Sequence, residues 1–317
     1  MLFTEKNAKF MAAAAHSPEP PPPVRLKPKM TTAEAFAAVA AACLEQIAFY
    51  APRVYRDGGV EDVHRMRVAV RRLRAVLSVF RRAIGGRRLA FEEDLRWLQD
   101  KLGAVRDWDV FRAGAVQPIE GEHGDVALVD EAGGMARDYA HLELRIALES
   151  KRAAALWRAM MRWLRGLARS GDKGGKLERP IAKYARRELR RRDRKLRQRG
   201  RRIAALDEEQ LHKLRIGAKK LRYAAEFFGD LYPRKRLERV LARMKKVQDL
   251  LGGLNDARTA RTLLDRLEPQ RSLGQPAIAF AHGDGMIEGA VLTRAKAERT
   301  RVKREWKRYE KAGKPWA

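Results

Sequence analysis

The residues of this 317-residue chain whose types and spacing are suited to binding a ligand form two rows. Each row consists of basic residues and begins with a histidine. Their members are His64, Arg67, Arg71 and Arg74 in the first row and His212, Arg215, Lys219 and Arg222 in the second. Within each row the spacing is i, i+3, i+7 and i+10, so on an α-helix the side chains share one narrow arc beside the apolar face. Arginine donates paired hydrogen bonds to phosphate oxygens, and lysine adds a point charge. The rows therefore predict two helices that present cations to a phosphate-containing ligand.

Each row destabilises an isolated helix, because like charges at these spacings repel one another. Acidic residues on adjacent helices could neutralise the row, or the arginine stems could merely cover the edge of the core. The recurrence of the row, with histidine at its head both times, favours an external anion. A histidine beside bound phosphates tends to be protonated, so we expect binding to strengthen as the pH falls through ~6.5.

The two rows belong to an internal duplication. The matching segments are, in chain order, His64–Arg74 with His212–Arg222 and Leu98–Gly103 with Val247–Gly252. Arg96 and Lys245 occupy equivalent places just before the second pair of segments and are additional candidates for the anion site. We expect Gly103 and Gly252 to permit close helix contact or to end a helix. The aspartates that follow, Asp107 and Asp256, are equally consistent with capping, with structural pairing and with other roles.

The charge balance points to a polyanionic partner. The chain has 69 Lys and Arg against 40 Asp and Glu, a formal net charge of +29 and an isoelectric point near 10.8. Such a surface attracts nucleic acid, anionic membrane or another polyanion. The alternative is a generally basic protein whose charges are spread evenly over solvated faces. Within the run at residues 185–197, Arg187, Arg191 and Arg194 could share one side, but most of the run reads as such a face.

Enzymatic chemistry has little support in the sequence. We find no P-loop, HExxH or nucleophile-elbow motif, the six histidines are scattered, and no cofactor or metal is expected. Cys43 is the only cysteine, which excludes a disulfide framework and a thiolate zinc site. The apolar run at residues 10–15 is too short for a signal peptide, and no stretch was recognised as approaching the ~18 apolar residues of a membrane span. These features predict a soluble cytoplasmic protein with no catalytic residues and no membrane partner.

The elements that must hold the rows are helices. Residues 1–28 are rich in Ala and Pro and predict a flexible, polyproline-like tail. From residue 29 the chain consists of Ala-, Leu-, Arg- and Glu-rich stretches separated by Gly and Pro, without alternation of period two. The sequence thus predicts an all-α fold.

Taken together, these residues resemble the CHAD family, the conserved histidine α-helical domain. The resemblance rests on both histidine-headed segments, on both Leu–Gly…Asp segments and on the aromatic and basic end at Trp306–Trp316. It implies a domain over residues 29–317 with helical repeats at about 30–170 and 178–315. These would form two four-helix bundles related by a pseudo-twofold axis, with a basic channel between them that holds inorganic polyphosphate. The two rows would line that channel, and an association with polyphosphate granules would follow.

Nucleic acid is the alternative partner, since counterion release would drive either polymer onto this surface. Binders of single strands usually add aromatic stacking platforms. Aromatic residues make up only 7% of the chain, and those near the rows, Phe80 and Phe228, fall on the core stripe. Polyphosphate, which has no bases to read, fits the rows better. The oligomeric state is open.

Overall fold

A computed structural model describes residues 24–120, 124–169, 175–267 and 275–316 of the chain. These residues contain nine helices of 19 to 37 residues and no strand, which confirms the all-α prediction. The helices are α1 Thr32–Arg56, α2 Val60–Phe80, α3 Glu92–Phe111, α4 Gly124–Glu149, α5 Lys151–Arg169, α6 Ile181–Gly200, α7 Glu208–Phe227, α8 Arg234–Leu267 and α9 Gln275–Lys311. A π-helical turn, Arg112–Val116, continues α3.

Local sequence signals fix where the helices begin. The Thr31 hydroxyl accepts a hydrogen bond from the Glu34 amide, and the Glu34 carboxylate accepts one from the Thr31 amide, which makes a capping box before α1. Asp207 and Gln210 make the same reciprocal pair before α7. Each such cap contributes about 1 kcal/mol to helix stability. The cap before α7 sets the start of the helix that carries the second basic row.

Helices at equivalent places in the two halves of the chain pack against each other. The pairs in contact are α1 with α6, α2 with α7, α3 with α8 and α4 with α9. The amide of Thr32 donates to the carbonyl of Arg179, and the amide of Ile181 donates to the carbonyl of Met30. The rings of Phe80 and Phe228, which the duplication makes equivalent, meet at 5.7 Å. Contact between equivalent elements is what a pseudo-twofold axis between the halves would produce, although α5 has no counterpart among the described helices of the second half.

The two helices that carry the basic rows, α2 and α7, are anchored by apolar faces that are buried in the core. The apolar stripes beside the rows are buried: Val63, Met66, Val70, Leu73, Leu77 and Phe80 on α2, and Leu211, Leu214, Ala218, Leu221 and Ala225 on α7 with Phe228 directly after it. Each large apolar side chain buried in this way contributes about 1.5–3 kcal/mol relative to exposure. The stripes therefore fix the rotation of both helices, and with it the direction in which the rows point.

The N-terminal region differs in two respects from the sequence analysis. The tail predicted over residues 1–28 lies outside the described residues up to residue 23, but Leu26 is buried and its amide donates to the Asp230 carboxylate, so packing begins before residue 28. In addition, α1 is long and apolar enough to cross a membrane by length and composition, with a hydropathy of 1.4. By length and composition, α1 therefore departs from the expectation that no stretch approaches a membrane span. Twelve α1 residues are buried in the core here.

Gly200, the last residue of α6, allows the close approach of the Trp306 ring. A Cβ atom at this position would lie 2.0 Å from Trp306 Cζ2, and the indole is almost fully buried. Overpacking of this kind costs about 1–3 kcal/mol. We expect Gly200→Ala to lower the free energy of unfolding by that amount in urea titrations. Gly285→Ala, at a helical position with open space around it, should instead be neutral or stabilise by up to about 1 kcal/mol, and equal losses for both variants would contradict this account.

Candidate functional site

A cavity of about 1620 Å³ lies between the two halves and is lined mainly by α2, α3, α7 and α8. Nine of the ten residues that the sequence singled out line it: His64, Arg67, Arg71, Arg74, Arg96, His212, Arg215, Lys219 and Arg222. The core stripes of α2 and α7 turn their basic arcs toward this common space. Two segments about 150 residues apart in the chain are thereby brought into one site.

Lys245 is the predicted residue that the structure does not bring to the cavity. Its ammonium group pairs with the Asp249 carboxylate at 2.8 Å, one helical turn along α8, and its side chain is 66% exposed. Its equivalent, Arg96, does line the cavity. The duplication predicted Lys245 as a site residue because it is equivalent to Arg96. The i,i+4 ion pair with Asp249 instead holds its side chain in solvent.

Five further cations line the cavity that sequence reasoning did not assign to it: Arg81, Arg88, Arg106, Lys220 and Arg294. Arg106 precedes the repeated aspartate Asp107, which was a usable signal. Lys220 lies outside the two rows, and it is both exposed and at the cavity wall. Over all the lining residues there are twelve Lys and Arg against six Asp and Glu, so the cavity has an excess of positive charge.

The pKa of Lys219 indicates that the two rows lie close to each other. Burial lowers the pKa of its amine, and the nearby charges of Arg215, Arg71 and Arg67 lower it further, from its ordinary value of 10.5 to about 7. Two of these three arginines belong to the opposite row. Burial and Arg96 likewise lower the pKa of Arg74. The free site is therefore under electrostatic stress that an anion would relieve.

Arg67 and Arg215, equivalent residues of the two rows, have donors without acceptors. The Nε atom of each is buried and has no hydrogen-bond partner within the described part of the chain. Arg67 lies 3.7 Å from a carboxylate oxygen of Asp107, and Arg215 donates to Asn255 Oδ1 at 3.2 Å. An unsatisfied buried donor costs about 1–3 kcal/mol, more when it is charged. An incoming phosphate would supply the missing acceptors.

The two histidines stand at the same end of the site but have different partners. Burial lowers the pKa of His64, and the charge of Arg106 lowers it further, while its Nδ1 atom has no partner among the described residues. His212 Nδ1 lies 3.0 Å from Asn255 Oδ1. The free His64 is thus held neutral to lower pH than an ordinary histidine, and a bound anion would reverse that effect.

The glycines of the repeated segments lie inside α3 and α8, so the expectation that they might end a helix is wrong. A Cβ at Gly103 would come within 3.8 Å of Arg67 Nε, whereas Gly252 faces open space in the cavity and makes no close helix contact. Of the two aspartates, Asp107 pairs with Arg67, and burial raises its pKa despite that neighbour. These short residues keep the wall clear of bulky side chains.

Asp107 competes with an external anion for Arg67. We expect Asp107→Asn to tighten polyanion binding by a few-fold, because a surface-type pair contributes about 1 kcal/mol or less and its removal frees the guanidinium. Titration of wild type and variant at one salt concentration measures the change. Glu238→Gln removes the same formal charge from an ion pair outside the cavity lining, that with the exposed Arg234, and should leave the affinity nearly unchanged. Weaker binding by Asp107→Asn would show that the carboxylate supports the site.

The lining offers little to hold bases or metals. Its aromatic residues are Phe111 and Tyr223, and the Tyr223 hydroxyl accepts a hydrogen bond from Arg71 Nε at 2.5 Å. No group of three or more His, Cys, Asp or Glu with metal-binding geometry occurs among the described residues. The arrangement is that of a cavity rich in cations and poor in aromatic rings.

Comparison with known proteins places these features in a wider group. A family model described as the CHAD domain matches residues 38–265. A crystal structure of the CHAD domain from the plant Ricinus communis is similar, with 28% identity and a TM-score of 0.79 over 92% of this chain and 96% of that one. PptA from Streptomyces chartreusis, at 18% identity and a TM-score of 0.62 over 88% of this chain and 100% of that one, shares the fold. No curated protein matches the chain.

Proposed function

The chain belongs to the CHAD domain family, and from that premise we propose that it binds inorganic polyphosphate in the cavity between α2 and α7 without catalysing a reaction on it. One observation carries the proposal: two histidine-headed cationic rows, distant in sequence, line the same cavity. Arginine forks and a partly deprotonated lysine on facing walls suit a chain of repeated phosphates, which can accept hydrogen bonds from both sides at once.

Polyphosphate suits the lining better than nucleic acid does. Single-stranded nucleic acid binders gain affinity from bases stacked on aromatic side chains. The lining has two aromatic residues, and one of them, Tyr223, already has its hydroxyl engaged by Arg71. Nucleic acid is the competing partner, because its phosphates would release counterions on the same cations.

A binding role rather than turnover is part of the proposal. Phosphoanhydride hydrolysis needs a metal or positioned groups to activate water and stabilise the leaving phosphate. The lining residues supply cations for charge stabilisation, and we assign no general base or nucleophile among them. Incubation with long-chain polyphosphate should release no orthophosphate by ³¹P NMR, and release that a chelator abolishes would contradict a purely binding role. A cytoplasmic location, at polyphosphate granules where these exist, completes the proposal.

Competition between the two polymers tests the choice of ligand. Fluorescently labelled long-chain polyphosphate is titrated with the protein and followed by polarisation, at several salt concentrations, with a single-stranded oligonucleotide of equal charge as competitor. We expect tight binding that falls as salt rises and that the oligonucleotide displaces poorly. If the oligonucleotide displaced the labelled polyphosphate as well as unlabelled polyphosphate does, the net charge of +29 would be acting as a diffuse field. That result would overturn the proposal.

A further inference from the structure

Helix α4 presents an apolar stripe to solvent on the face opposite its core contacts. The exposed residues are Leu128, Met135, Tyr139, Leu142 and Ile146, with exposed fractions between 37% and 67%. The buried face of the same helix, with Val129, Leu144 and Leu148, packs into the core. The stripe therefore belongs to a second apolar face that the described residues of the chain do not cover.

The spacing of the stripe is that of a coiled-coil seam. The exposed members and Ala132, which is buried in its own chain at the edge of the stripe, follow one another in alternating steps of four, three, four, three and four residues. That pattern is the a/d repeat by which one helix packs lengthwise against another. A helix is thus the expected occupant, rather than a flat or globular surface.

The charge on α4 sets it apart from the rest of the molecule. In a chain of net charge +29, this helix carries six acidic residues against two arginines. Two copies of the protein repel one another at most faces, because like net charges oppose close approach. The net acidic character of α4 reduces that repulsion at its surface, where Glu131 and Asp138 are exposed.

We propose that α4 is the interface of a twofold-symmetric homodimer, in which the α4 helices of two copies pack antiparallel along this stripe. In one register the exposed stripe residues meet apolar partners of the other copy: Leu128 lies opposite Ile146, and Met135 lies opposite Tyr139. Leu142 lies over the position of Ala132, a small residue buried in its own chain. The interface is self-complementary, as a closed dimer requires. This proposal is independent of the ligand assigned to the cavity.

The flanking charges fit the same register. In it, Glu131 of one copy lies opposite Arg145 of the other, and twofold symmetry makes this pair twice. Both residues are exposed, and Arg145 rests against the Tyr55 ring of its own chain, which limits its orientations. The two Asp138 side chains meet near the axis and oppose the dimer, partly offset by Arg137 at 3.5 Å in the same chain. Asp138→Asn should therefore tighten the dimer.

Sedimentation velocity of the full chain over a wide concentration range, without polyanion, tests the proposal. We expect a concentration-dependent shift from 36.1 kDa toward about twice that mass. Tyr139→Glu/Leu142→Glu should remain monomeric at every concentration. Ile278→Glu, which places a charge at an exposed apolar residue of α9, should dimerise like the wild type.

A charge-swap series tests the register. Glu131→Arg and Arg145→Glu should each weaken self-association, since each places like charges opposite one another. An equimolar mixture of the two variants should associate again, because each copy then meets its opposite. A monomeric wild type at all concentrations would overturn the proposal, as would dimers unaffected by Tyr139→Glu/Leu142→Glu or a mixture that fails to recover. Since polyphosphate binding by the monomeric variant is measured separately, failure of the dimer leaves the proposed function standing.

Discussion

Replacement of Arg67, Arg71, Arg215 and Lys219 together by alanine is expected to weaken polyphosphate binding by a factor of about 10³ or more. A charge-assisted contact contributes about 1.5–3 kcal/mol. The four losses do not add fully, because all contact one ligand. These residues come from both rows, and all four line the cavity. Polarisation or calorimetric titration with long-chain polyphosphate measures the change.

A control variant that loses the same charge outside the cavity distinguishes a specific binding site from general electrostatic attraction. Arg65, Lys213, Arg234 and Lys245 are exposed, ion-paired within their own helices and absent from the cavity lining. Their combined replacement by alanine removes the same formal charge and should weaken binding by less than about tenfold. The cavity variant should also unfold at a higher temperature than wild type, because it loses mutual repulsion among buried cations. Equal loss of affinity in both variants would contradict a dedicated site.

Polyphosphate binding should be coupled to uptake of a proton by Lys219. The free amine has a pKa of about 7, so at pH 8 it is mostly neutral. A bound polyanion favours the charged form and raises that pKa. Affinity should therefore fall as the pH rises above about 7, by at most about tenfold per pH unit for one proton. His64, whose pKa is also lowered, adds a second uptake at lower pH.

Calorimetry in buffers of different ionisation enthalpy counts the protons taken up at pH 8. Lys219→Arg keeps its charge at all relevant pH and should bind well with little dependence between pH 7 and 9. Lys219→Met should bind weakly with equally little dependence. An unchanged pH profile in both variants would show that another group titrates.

The unliganded protein should show the converse effect in its stability. The folded pKa of Lys219 lies below the unfolded value of 10.5, so between about 7 and 10.5 the unfolded chain binds more protons. The contribution of this residue to stability therefore rises with pH across that window. Lys219→Met should flatten this part of the stability profile in denaturant titrations.

The row residues were predictable from the sequence because a helix converts residue spacing directly into direction. The apolar stripes that end at Phe80 and Phe228 are buried as predicted, so the arcs beside them had to point the same way from both helices. The all-α fold followed from the same periodicity. The resemblance to the CHAD family, rather than the spacing, supplied the reason to place the two rows in one channel.

The remaining residues that line the cavity could not be predicted from the sequence, because their positions depend on tertiary packing rather than on a local pattern. Arg294 reaches the cavity from α9, where its guanidinium donates to the Gly114 carbonyl of the π-helical turn, and Arg88 reaches it from the connection between α2 and α3. Neither lies in a repeated segment. Lys245 shows the opposite case, since an ion pair with Asp249 overrides the position that the repeat assigned to it.

A crystal structure of the protein with long-chain polyphosphate tests the central claim most directly. The account predicts phosphate density that runs through the cavity between α2 and α7, with phosphate oxygens within hydrogen-bonding distance of Arg67 Nε and Arg215 Nε, the buried donors that lack acceptors in the free site. An empty cavity, with phosphates bound only to exposed cations such as those of α6, would contradict it.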